Sequence, residues 1–302
     1  MNNTPDYASK GSRRGNKGGS RLLSVLAWTV ALACLLPMVA VSLAAVTGGT
    51  ETVSHLMETV LLRYTGTTIV LVFLVAAGTL SIGVGAAWLV TMTRFPGVRF
   101  FEMALILPLA FPAYVLAYAY TFVLDHPGIV QTTLRDITGW GPRDYWFPEI
   151  RSTSGAALML VLVLYPYVYL LARAAFLQQS SGAFLAARAL GNTSWQAFWR
   201  VSLPMARPAI ASGLLLAIME TIADFGTVSY FGVQTFATGI YTSWFSMGDR
   251  AGAAQLALVL LGFALTLAVV ERSTRGKARY HHAGKQHAKM PPATLTGSKV
   301  LL

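Results

Sequence analysis

One cysteine, Cys34, in 302 residues excludes a disulfide framework and a cysteine-built zinc site. Charge is scarce too. Only 12% of the residues are Asp, Glu, Lys or Arg, about half the share usual in a soluble domain. Hydrophobic residues make up 55%, so one soluble domain is excluded, and so is intrinsic disorder, which needs low hydrophobicity. No Gly-x-x-x-x-Gly-Lys-Ser/Thr phosphate loop is present; the glycine-rich run from Gly11 to Gly19 lacks the spacing. There is no His-Glu-x-x-His and no Gly-x-Ser-x-Gly. The chain is therefore not expected to be an enzyme or to bind a cofactor of its own.

Long apolar runs are what the sequence does have. They cover 22–46, 66–92, 101–124, 155–177, 208–231 and 251–270. Each can cross a hydrocarbon core of ~30 Å at about 1.5 Å per residue. A helix satisfies its own backbone polar groups, which lipid cannot do. The expected fold is all-α: a polytopic bundle of six transmembrane helices. The first run follows a basic segment, and Ser42-Leu43-Ala44 loosely imitates a cleavage site. The run is much longer than the apolar part of a signal peptide, so a retained anchor is expected.

The basic residues give an orientation. Lys10, Arg13, Arg14, Lys17 and Arg21 precede the first run, Arg94 and Arg99 lie in 93–100, and four arginines lie in 173–207. Seven more basic residues follow Glu271, which makes 18 on one side of the membrane against 5 on the other. The positive-inside rule then puts both termini in the cytoplasm. The net charge of +11 is mostly this signal plus attraction to anionic lipid, not a nucleic-acid footprint.

Several spans carry local irregularities. Pro108 and Pro112 interrupt the third and Pro166 lies inside the fourth. Gly78, Gly83 and the pairs Ser81/Gly85 and Gly213/Ala217 allow close helix packing. The outer loop 125–154 mixes acids with Trp140, Tyr145 and Trp146, which suits either interfacial anchoring or a docking surface.

Residues 178–204 are long for a connection and hold no acidic residue. A helix is expected first, with Gly191-Asn192 as its stop. Ser194 is then expected to cap a second short helix carrying Trp195, Phe198 and Trp199, with Pro204 and Pro208 at the start of the next span. Arginine and tryptophan dominate interface energetics, so the bend suits a partner's pocket. It equally suits an amphipathic segment lying on membrane lipid.

Leu185-Ala186-Ala187, three residues, Gly191, nine residues, then Val201-Ser202-Leu203-Pro204 resembles the signature loop of the permeases of ABC importers. That signature reads Glu-Ala-Ala, three residues, Gly, nine residues, Ile-x-Leu-Pro. Leu185 stands where the acid belongs. Arg94-Phe95-Pro96-Gly97 followed by the run from Leu107 to Tyr114 resembles the start of the conserved core of this MetI-like, type I family, and Tyr165 to Tyr169 and Glu220 to Thr227 resemble its ferric-iron branch. The resemblance covers roughly residues 60–272. It implies a six-span permease domain over 22–272, with basic cytoplasmic tails at 1–21 and 273–302. Such iron permeases often carry two halves in one chain. This chain resembles the first half, either a stand-alone half or a shortened reading frame with 273–302 as a truncation scar.

The resemblance further implies a bacterial inner-membrane protein that imports ferric iron by alternating access. Its partners would be ABC ATPase subunits that hold ATP and Mg, a second permease half in a homo- or heterodimer, and an extracytoplasmic solute-binding protein. The coupling loop would use Leu185, Ala186, Ala187, Gly191, Trp195, Phe198, Val201, Leu203 and Pro204. Related permeases move polyamines, thiamine, phosphonates or sulfate.

Glu220 and Asp224 fall inside the fifth apolar run at i,i+4 spacing, on one face of an unbroken helix. A carboxylate at the bilayer centre costs at least ~2.5–3.5 kcal/mol. The pair is therefore protonated, paired with another chain or facing water. It forms either a cation path or a structural network at a gate; a third reading makes it the relay of an ion-coupled transporter or channel. Tyr114 and Tyr118, like Tyr165 and Tyr169, repeat the spacing and offer hard oxygen ligands, although tyrosine in spans also serves packing. His281, His282 and His287 are read as part of a solvated tail with no metal site.

Overall fold

The computed structural model describes residues 17–48, 60–142, 144–179, 181–274 and 293–294. Lys10, Arg13, Arg14, the three tail histidines and most of 273–302 lie outside the described residues. Among the described residues five helices are long and apolar enough to cross a membrane, and a bent pair makes a sixth crossing if it counts as one span. Their order is α1 (Lys17–Thr47), α2 (Leu62–Met92), the bent pair, α6 (Thr153–Gln178), α8 (Ser194–Ala223) and α11 (Arg250–Thr274).

Helix α6 is the centre. Ser152 caps it by accepting from the Gly155 amide. Its buried residues lie all round the helix, as expected of an element packed on every side. Glycines set how close its neighbours come. A side-chain carbon at Gly83 of α2 would lie 2.9 Å from the Tyr165 carbonyl; one at Gly213 of α8 would lie 2.8 Å from that of Tyr167. The tight strip on α2 runs through Thr79, Gly83 and Ala87, all buried, whereas Ser81 is exposed and Gly85 faces open space. The expected Ser81/Gly85 pair therefore does not make the contact. Helix α1 stands apart, exposed from Leu23 to Leu43, and meets α11 only near its end, where Gln255 donates to the Ala45 carbonyl at 3.1 Å.

The third span departs from the expected helix over 101–124. It consists of α3 (Val98–Ala104), a 3-10 turn (Leu107–Ala110) and α4 (Ala113–Leu124); the bend between Val98–Ala110 and Ala113–Thr138 is 102°. Pro108 and Pro112 offer no backbone donor, and Phe111, preceding a proline, is extended at φ −115 and ψ 138.

The fifth span also differs. Helix α8 begins within the connection 178–204 and passes through Pro204 and Pro208 without a stop. A π turn at Phe198–Ser202, in which the Leu203 amide reaches back five residues to the Phe198 carbonyl, widens the helix before Pro204. The helix then ends at Ala223. Asp224 is extended (ψ 124), and a short α9 (Gly226–Tyr230) follows. The helix expected over 208–231 is thus two pieces.

Three short helices complete the frame. Helix α5 (Ile129–Thr138) orders the loop 125–152, α7 (Ser181–Ala189) opens the elbow over 178–204, and α10 (Phe236–Tyr241) buries Phe236 against Tyr64 of α2.

Candidate functional site

The elbow over 178–204 is built by two caps. At the end of α7, Gly191 takes φ +89; its amide bonds the Arg188 carbonyl, and the Asn192 amide bonds that of Ala187. This is a Schellman stop, which favours glycine. Thr193, not Ser194, caps α8. Its hydroxyl accepts from the Gln196 amide while Gln196 Oε1 accepts from the Thr193 amide at 2.9 Å. The Thr-x-x-Gln box was legible in the sequence but shadowed by the neighbouring serine. Asn192 joins the two helices: it takes a bond from Arg188 on its carbonyl and one from Arg200 on its side chain at 3.0 Å.

The elbow's apolar side chains divide into two sets. Phe198 is only 4% exposed; its ring lies 5.2 Å from Trp88 of α2 and 6.1 Å from Phe176 of α6. Ala187 and Ala197 are buried with it, and Val201, Leu203 and Pro204 are half-buried. Leu185, Ala186, Gly191, Trp195 and Trp199 are exposed, and Leu190 is 84% exposed. Trp195 stacks on Phe198 and touches Trp88. The elbow is therefore a fixed projection, with a root of Phe198, Trp88 and Phe176 and a rim of Leu185, Leu190, Trp195 and Trp199. Trp88 lies 90 residues before 178–204 and Phe176 in the span that leads into it, and no local spacing signalled their part.

In the membrane the two acids separate. Asp224 accepts from the Val228 amide at 3.0 Å and from the Thr227 hydroxyl at 3.1 Å, so it caps α9 at the helix break. The expectation that it shares a helical face with Glu220 fails because α8 stops between them. Glu220 is still helical. Its side chain is exposed, with Tyr167 of α6 as an electrostatic neighbour.

Tyr114 and Tyr118 lie exposed on α4 against α9. Tyr114 packs on Gly226 and Tyr118 lies 5.9 Å from Tyr230. The two short helices thus run side by side in the same direction from adjacent breaks. Tyr165 and Tyr169 are buried on α6, away from that surface, with Tyr169 donating to the Glu102 carbonyl.

At the outer end Tyr230 meets Arg151, whose guanidinium sits 5.1 Å from the ring centre and 3.0 Å from Asp125. Hydrogen bonding to Asp125 holds the Arg151 pKa above its ordinary value. Beside this pair the loop 125–151 borders an open pocket of about 290 Å³ lined by His126, Gln131, Tyr145 and Glu149 among others. Tyr145 donates to Gln131, accepts from Arg135 and stacks on Trp140, which makes the loop a folded surface. Among the described residues no three His, Cys, Asp or Glu side chains are placed to hold a metal ion.

A bundle with two broken spans and a projecting elbow defines a polytopic α-helical membrane protein. The sequence matches the family described as binding-protein-dependent transport system inner membrane component over residues 79–275, and the chain belongs to that family. It is 29% identical over 264 residues to the Fe(3+)-transport system permease protein FbpB 2 of Haemophilus influenzae, a stretch covering 87% of this chain and 48% of that protein. This chain thus spans about half the length of that relative. It is 28% identical to the molybdenum transport system permease protein ModB of Escherichia coli K12, over 62% of this chain and 81% of that one. Among solved structures, a bacterial ABC transporter that imports alginate superposes with a TM-score of 0.71 at 16% identity, covering 87% of this chain and 97% of that chain. The MetNI methionine transporter gives 0.56 at 18% identity, covering 72% and 96%. Both show the same fold.

Proposed function

We propose that the chain is one half of the membrane part of an ATP-driven importer, with ferric iron as cargo. The observation that carries the importer reading is the elbow. Inside the family match it presents Leu185, Leu190, Trp195 and Trp199 on a root fixed to α2 and α6. Exposed aromatics on a preorganised support suit a protein pocket better than a lipid surface, where the support would be unnecessary. The occupant is a soluble ABC ATPase, which holds the ATP and Mg and carries out the hydrolysis. Residues 22–272 form the permease domain, and both tails are cytoplasmic, following the excess of basic residues on that side.

Iron is supported by the FbpB 2 relative and by charge. Glu220 presents an exposed carboxylate on α8, and residues 208–249 contain no Lys or Arg. A carboxylate and the phenols of Tyr114 and Tyr118 suit a hard cation and repel the oxyanions that molybdenum or sulfate permeases handle. Lipid would not tolerate Glu220, so this face meets the second permease half across a wet path. A solute-binding protein delivers cargo to the outer loop. The test is uptake of radiolabelled ferric iron and of molybdate in a strain lacking the chain, before and after complementation. Iron uptake that follows the chain and stops on ATP depletion is expected. Restored molybdate uptake with unchanged iron uptake would overturn the cargo.

A further inference from the structure

Two ion pairs tie the broken third span to α6, one near each end of that helix. On the outer side Arg151, just before α6, lies 3.0 Å from Asp125 at the end of α4. On the inner side Arg173, in the last turns of α6, lies 3.1 Å from Glu102 of α3. At 1.5 Å per residue the two arginines are about 30 Å apart along the chain axis, close to the thickness of a hydrocarbon core. One buried, unbroken helix thus serves as a post, and each half of the bent span is fastened to it near one of its ends.

The halves are mechanically separate. Between them the backbone passes through a 3-10 turn and the extended Phe111 and Pro112, so no continuous hydrogen-bond ladder carries a rotation of one half into the other. Secondary ties differ at the two ends. Tyr169 donates to the Glu102 backbone, so α6 holds α3 twice. Arg151 also reaches the Tyr230 hydroxyl at 3.5 Å, so the outer tie gathers α9 as well. All four charged side chains are between about a quarter and a half exposed. Pairs of that kind add little to folding stability because water competes for both partners. The same property lets them open and close without a large barrier.

We propose that Asp125–Arg151 and Glu102–Arg173 are opposed latches on the two halves of the third span, opened one at a time as the carrier exposes its path outward and then inward. The structure holds both closed, as a carrier must between its two open states. The proposal rests on the import reading. Its consequence is that tying either pair permanently stops the cycle, whereas a pair that only supports the fold can be tied without effect.

The test uses the full chain with its ATPase partner, in a Cys34→Ser background that leaves no other thiol. Two double variants are made, D125C with R151C and E102C with R173C, and each is bridged by a short thiol-specific crosslinker that reductant removes. Bridging either pair is expected to lower ferric-iron uptake about tenfold or more, with recovery on reduction. A smaller fall at either pair overturns the proposal. A second measurement needs no cargo: the bridging yield at each pair before and after trapping the ATPase with nucleotide and vanadate. The yields are expected to move in opposite directions. Yields that stay constant, or move together, overturn the latches and leave the transport reading standing. Opposed yields without any iron uptake would instead count against iron.

Discussion

The indole of Trp88 in α2 lies 5.2 Å from the ring of Phe198 in the elbow. This contact joins a membrane span to the projecting elbow more than 100 residues later in the sequence. The elbow therefore does not hang from flexible ends, and a force on its rim is delivered directly to the helix that packs along α6.

Truncating root and rim should give different phenotypes. Phe198→Ala removes a ring that is 4% exposed, and large-to-small changes in such positions cost about 3–5 kcal/mol. Trp195→Ala removes a half-exposed ring and should leave the melting temperature nearly unchanged. If the rim is the docking surface, Trp195→Ala weakens retention of the ATPase about tenfold or more, a loss of ~1.4 kcal/mol. Thermal melts and copurification of the tagged chain separate the two effects. Equal ATPase retention by wild type and Trp195→Ala would remove Trp195 from the docking surface.

Gly191 holds the bend at φ +89 with open space around its α-carbon. The demand on this position is conformational, not steric. Gly191→Val should destabilise the elbow by ~1 kcal/mol or more, and Gly191→Asn should be milder because asparagine tolerates the left-handed region. If the elbow docks an ATPase and the cargo is ferric iron, as proposed, ATPase copurification and iron uptake should both rank glycine above asparagine above valine. A valine variant as active as wild type would show that the bend is not needed in this form.

What the sequence disclosed and what it hid follow from range. Apolar runs and the Gly191 stop are local signals, so α2, α6, α11 and the elbow were legible. The break at Asp224 was not, because no proline precedes it and Ala223-Asp224-Phe225 reads as continuing helix; its cause is the capping of α9, which needs Thr227 and Val228 in place. The prolines at 108 and 112 signalled a disturbance but not a bend of 102°. The same residue type at 204 and 208 signalled a boundary that the π turn removes. The root of the elbow at Trp88 and Phe176 is a tertiary fact, invisible to any window on the sequence.

Gly213 sets the distance between α8 and α6. A side chain there meets the backbone of Tyr167 and Val168, which cannot give way as a flexible side chain can. Gly213→Leu should therefore force the helices apart and lower the yield of folded protein, while Gly85→Leu, on α2 in open space, should be tolerated. Detergent-solubilised yield and melting temperature read the difference. Equal yields for the two variants would contradict the close packing of α8 on α6.

The two membrane acids can be separated by replacing each with its amide and with alanine. Asp224 accepts two bonds at the start of α9, a task that asparagine performs through its side-chain oxygen and alanine does not. Asp224→Ala should cost about 0.5–2 kcal/mol, and Asp224→Asn should recover most of it. Glu220 caps nothing, so neither Glu220→Gln nor Glu220→Ala should change the melting temperature appreciably. If its carboxylate lines a cation path, both should reduce iron uptake, and Glu220→Asp should retain more than Glu220→Gln because charge matters there more than shape. If uptake instead falls only with Asp224→Ala and follows the loss of folded protein, the acids serve the bundle and the path runs elsewhere.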